Sequence, residues 1–163
     1  RYVLIYKMHP RDLQTDMLEE HRPTRALCID GFNASVQSFI SLSIKDFFQK
    51  AECLDLMHLK GGYKNVIPSM DPQGMNQLIY LKLYSCPEIE CLFDSTNVGL
   101  LQTEDAFSSL VLLWLTFLDN LQEVFRDPSS KVLKIICCPM LTSILKPSIV
   151  QTLELLENLT ISE

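Results

Sequence analysis

The 163 residues are 47% hydrophobic and 21% charged with only 5 Gly, which suits a globular protein long enough to enclose a core. Lys and Arg number 14 against 20 Asp and Glu, for a net charge of −6. That balance argues against a nucleic-acid surface, which needs a basic stripe to track phosphates. The densest apolar run, Leu110 to Leu118, is broken by Thr116 and falls short of the roughly 20 residues of a bilayer span.

In chain order, a first strand is expected at Tyr2–Tyr6 and a second at Ala26–Asp30, where Leu27, Ile29 and Phe32 form a weak apolar pattern. Ile40, Ile44, Phe47 and Phe48 recur at helical spacing and predict a short helix over Phe39–Gln49. A strand at Cys53–Met57 carries Ala51, Leu54, Leu56 and Leu59, and Gly61-Gly62 after it suits a tight turn but is too short to cradle phosphate. The strand at Ile79–Tyr84 carries Leu78, Leu81, Leu83 and Cys86. Asp94 to Asp105 read as a polar loop. The strand at Val111–Trp114 carries Leu110, Leu113, Leu115 and Leu118, and that at Val132–Ile136 carries Leu133, Ile135 and Cys138. A helix over Ser148–Leu156 after Pro147 and a strand at Asn158–Ile161, with Leu156, Leu159 and Ile161, complete the chain. Arg1 stands without a charged-then-apolar leader, so no signal peptide is expected. Ile161-Ser162-Glu163 stops within a repeat, giving an uncapped C-terminus on this reading.

The recurring unit is apolar-x-x-apolar-x-apolar-x-x-apolar. Equivalent leucines step by 27 from Leu27 to Leu54, 27 to Leu81, 32 to Leu113, 20 to Leu133 and 26 to Leu159. Most steps fall in or near the range of about 20–29 residues of leucine-rich repeats. Two copies also agree beyond the strand: Cys86-Pro87-Glu88-Ile89 matches Cys138-Pro139-Met140-Leu141, and apolar pairs follow each, Leu92-Phe93 and Ile144-Leu145. In a strand alternate side chains take opposite faces, so both leucines of L-x-L enter the core and the x looks out. One repeat alone leaves its apolar side bare, and stacking covers it. The fold class expected is α/β: a right-handed leucine-rich repeat solenoid, or horseshoe. Short parallel strands should line its concave face, with loops and short helices on the convex face. Residues 1–163 would form a single fragment of about six irregular repeats.

Nothing in the chain suggests catalysis or a metal. Six cysteines in a leucine-rich chain with core enough point to reduced thiols. Cys137 and Cys138 adjoin, and His9, His21 and His58 are scattered, so paired zinc-ligand spacings are missing. His9-Pro10-Arg11-Asp12 lacks the other kinase elements. Asn33-Ala34-Ser35 and Asn158-Leu159-Thr160 are glycosylation sequons only in a secreted protein. Partner contact is expected on the concave face, at Asp55, His58, Tyr80, Lys82, Tyr84, Trp114, Thr116, Lys134 and Thr160. Trp114 is the x of Leu113-Trp114-Leu115, and exposed Trp and Tyr commonly anchor interfaces.

Several segments resemble plant coiled-coil nucleotide-binding leucine-rich repeat disease resistance proteins. They are Tyr63-Lys64-Asn65-Val66-Ile67, Leu81-Lys82-Leu83-Tyr84-Ser85-Cys86-Pro87-Glu88-Ile89, Leu118-Asp119-Asn120-Leu121-Gln122-Glu123-Val124, Cys138-Pro139-Met140-Leu141 and Leu156-Glu157-Asn158-Leu159-Thr160-Ile161. The resemblance runs from about Arg25 to Glu163, and Cys137 departs from the polar residue more usual in its slot. It implies a non-enzymatic, cytoplasmic recognition scaffold in defense. Its partners would be pathogen effectors, guarded host proteins and other domains of its own full-length chain, with no nucleic acid and no membrane span. The family's ATP/ADP site lies in a separate nucleotide-binding domain, and this chain has no G-x4-G-K-[ST], so no cofactor is expected in it. The alternative is the substrate-recognition repeats of an F-box ubiquitin-ligase adaptor, which have a steadier period. A secreted receptor's repeats would carry Gly-x-Ile-Pro, of which Val66-Ile67-Pro68 is a partial echo.

Overall fold

The computed structural model describes residues 4–7, 23–33, 48–67, 69–70, 75–94, 106–125, 132–145 and 158–162. Where the sequence repeats L-x-L, the chain runs as strands. Numbered along the chain these are β1 (Leu4–Lys7), β2 (Ala26–Asp30), β3 (Cys53–Met57), β4 (Asn65–Ile67), β5 (Tyr80–Tyr84), β6 (Cys91–Phe93), β7 (Leu112–Thr116), β8 (Glu123–Phe125), β9 (Val132–Ile136), β10 (Ser143–Leu145) and β11 (Asn158–Ser162). The longer strands form a seven-stranded sheet ordered β1-β2-β3-β5-β7-β9-β11, and the three-residue strands form a four-stranded sheet ordered β10-β8-β6-β4. From β3 to β10 the chain alternates between the two.

Equivalent leucines stand side by side. Leu27 pairs with Leu54, Leu54 with Leu81, Leu81 with Leu113, Leu113 with Leu133 and Leu133 with Leu159. A second ladder two residues on runs through Ile29, Leu56, Leu83, Leu115, Ile135 and Ile161. Leu54, Leu56, Leu81, Leu83, Leu113 and Leu115 are wholly buried, each contributing about 1.5–3 kcal/mol by leaving water. Val66, Leu92 and Val124 of the short strands pack into the same core, so one apolar interior lies between the sheets.

Five of the long strands, β2, β3, β5, β7 and β9, leave the sheet the same way. The residue after each is left-handed: Gly31 (φ 71), His58 (φ 53), Ser85 (φ 50), Phe117 (φ 52) and Cys137 (φ 50). Its N–H still donates across the ladder, to Met57, Tyr84, Thr116, Ile136 and Ser162 carbonyls respectively. A left-handed non-glycine residue costs roughly 1–2 kcal/mol. The cost is offset because the twist drops the next side chain into the core, and Phe32, Leu59, Cys86 and Leu118 are all buried there. Cys86 adds a weak cap, its Sγ donating to the Tyr84 and Leu56 carbonyls at 3.4 and 3.6 Å. Cys138 does the same to Ile136 at 3.5 Å.

Two carboxylates tie successive turns together. Glu52 accepts from the Thr24 N–H and hydroxyl and from the Arg25 N–H and guanidinium. Burial pushes its carboxyl up, but the bonds from Thr24 and Arg25 and the Arg25 charge together hold it below the usual value. Glu88 accepts from Gly61 and Gly62 N–H groups at 3.0 and 2.6 Å, and those two bonds lower its carboxyl. The paired glycines, at φ 95 and 94, turn both N–H groups toward one carboxylate.

The structure corrects the expected architecture in two places. Most neighbours in the long sheet are parallel, but β1 runs antiparallel to β2, with Leu4 opposite Asp30 and Lys7 opposite Leu27. The segments expected as loops and short helices include the four-stranded parallel sheet. Its strands are only three residues long, too short to show an alternation in the sequence. The helix expected over Phe39–Gln49 is described only at 48–50, which is helical. The Ser148–Leu156 helix lies outside the described residues, as does all but Asp94 of the polar loop.

Candidate functional site

The residues between the core leucines stand together on the opposite face of the long sheet, in columns set by strand register. One column runs Cys28, Asp55, Lys82, Trp114, Lys134, Thr160, and the next runs Asp30, Met57, Tyr84, Thr116, Ile136, Ser162. Parallel neighbours lie only about 4.8 Å apart, so these side chains act on one another. Lys82 Nζ meets Asp55 Oδ2 at 3.2 Å. Trp114 lies between two lysines, with Lys134 Nζ 4.2 Å and Lys82 Nζ 5.7 Å from its ring centroid. Cation–π contacts of this kind are worth about 0.5–1 kcal/mol at exposed sites and more when drier.

The expectation of solvent exposure fails at three of the nine site residues. Tyr80 is 3%, Asp55 6% and Thr116 7% exposed. Tyr80 packs with Ala26, Cys28, Cys53 and Leu112 in a small second apolar cluster, which Met57, Ile79 and Trp114 flank. This outer face is therefore apolar at its start and wetter toward the turn. Asp55 is shut in by its neighbours. Burial pushes its carboxyl up, the Lys82 charge and hydrogen bond oppose that, and Asp30 adds to the rise. Burial also raises the Tyr80 phenol, helped by Asp55, and lifts the Cys53 thiol to about 12. His58 and Thr160 are exposed, and Lys82, Tyr84, Trp114 and Lys134 are half-buried.

At the turn end of the same face, rings line up across strands. His58 Nδ1 meets Asp30 Oδ1 at 2.7 Å. The His58 and Tyr84 rings lie edge-on at 5.6 Å, and those of Tyr84 and Phe117 at 5.5 Å. Phe117, 44% exposed, was missed by the sequence reading. Its phase was available, because it occupies the post-strand slot that His58 fills in an earlier repeat. Asp30, also missed, precedes that slot.

Among the described residues, three buried polar atoms on this face lack a partner: Asp55 Oδ1, Trp114 Nε1 and Thr116 Oγ1. Buried polar groups are ordinarily satisfied, and all three sit in adjoining columns. Among the described residues no three His, Cys, Asp or Glu side chains converge as metal ligands. All six cysteines are free thiols. Burial raises Cys86, against the pull of bonds with the Leu59 and Tyr84 backbone, to about 11. It raises Cys91 similarly, helped by Asp94, Glu123 and Glu90. Such thiols stay protonated and unreactive near neutral pH.

Stacked parallel strands with L-x-L turned inward and a Cys- or Leu-capped turn define a leucine-rich repeat protein. The family model for the leucine-rich repeats of plant disease resistance proteins, RPS2-like, matches residues 34–163, and the chain belongs to that family. Neither the curated proteins nor the solved structures contained a match. Repeats of this family are generally non-catalytic modules for protein interaction. Among the described residues no helix is long and apolar enough to cross a membrane.

Proposed function

We propose that this chain is the recognition scaffold of a cytoplasmic plant immune receptor, its turns winding as a right-handed solenoid with the long sheet on the concave side. On this reading the scaffold senses a pathogen effector or a guarded host protein. It also packs against other domains of its own full-length chain, keeping the nucleotide-binding module inactive. ATP or ADP belongs to that separate module. The chain itself has no catalytic role and no nucleic-acid partner. Membership of the disease-resistance repeat family over residues 34–163 is the observation that carries the proposal. The face around His58, Tyr84, Trp114 and Lys134 is the contact surface it favours, because aromatic and cationic side chains gather there without a covering element among the described residues.

Co-purification of the chain with the nucleotide-binding module of its own receptor tests this. Trp114→Ala should leave the far-UV circular dichroism unchanged and reduce capture at least tenfold, since central aromatic anchors typically contribute 2 kcal/mol or more, by about that measure. Capture equal to that of the unaltered chain would move the contact surface elsewhere. Unfolding on substitution would make Trp114 part of the core.

A further inference from the structure

We draw no further inference here: the strongest candidate, the open edge of the long sheet at β11, where Leu159 and Ile161 stand 47% and 58% exposed in positions whose equivalents on β3, β5, β7 and β9 are buried, is an unpartnered apolar edge, and nothing in the structure shows what covers it.

Discussion

Cys86 illustrates how much one side chain does here. It ends the L-x-L strand, sits at 0% exposure and feeds its S–H to the Tyr84 and Leu56 carbonyls. Its capping role is readable from the sequence, since Cys86 and Cys138 head the same C-P-x-apolar continuation. What the sequence does not display is the left-handed residue just before it. Ser85, Phe117 and Cys137 have no composition in common, and the ladder imposes the conformation rather than side-chain preference. The thiols give a pH test. Cys86 and Cys91 are held at about 11 and Cys53 at about 12, above the ordinary 9.0. A folded-state pKa above the unfolded one means the folded chain keeps protons that the unfolded chain releases. Stability is then intact below pH 9 and falls as pH rises toward 11–12. By linkage the loss is on the order of 2 kcal/mol by pH 11 for Cys86 alone. Urea midpoints measured from pH 8 to pH 11 should decline accordingly, and Cys53 and Cys86 should resist thiol reagents at pH 8 until the chain unfolds. A flat midpoint with rapid native labelling would contradict their burial.

Among the elements, the long strands were legible nearly to the residue. β2, β3 and β9 coincide with the expected spans, β5 begins one residue later, and β7 is displaced one to two residues toward the turn. The period of two and the recurring leucines fix them because the buried face penalises a slip of register. The short strands β4, β6, β8 and β10 were not foreseen, although the apolar pairs Leu92-Phe93 and Ile144-Leu145 marked two of them. A three-residue strand such as Cys91–Phe93 buries only Leu92 fully, too little for any periodicity. If this sheet closes the core as described, Leu92→Ala should cost about 2–5 kcal/mol, the usual range for emptying a buried leucine site. The urea midpoint measures it, and a loss under 0.5 kcal/mol, about the size of a surface change, would mean that β6 does not cap the interior. The antiparallel β1–β2 pair was invisible for another reason: strand direction leaves no mark on side-chain alternation.

At the scale of the molecule, repetition carries both the fold and the candidate surface. Each turn covers its neighbour's apolar side, so stability is shared along the stack, while the outward residues differ from one repeat to the next and form the cluster around Trp114. Strand phase located Lys82, Tyr84, Trp114 and Lys134 correctly on one face. It could not foresee that Asp55, Tyr80 and Thr116 are buried there, because their cover comes from side chains on adjacent strands, distant in sequence. The period-two partition is most directly tested with one replacement at three consecutive positions, Leu133→Asn, Lys134→Asn and Ile135→Asn, followed by urea denaturation. Leu133 and Ile135, each 2% exposed, should each lose about 3 kcal/mol or more through lost burial and a stranded amide. Lys134→Asn should stay within about 1 kcal/mol, since it forfeits only its contact with the Trp114 ring. Equal losses at all three positions, or the largest at Lys134, would contradict the stacked-strand account.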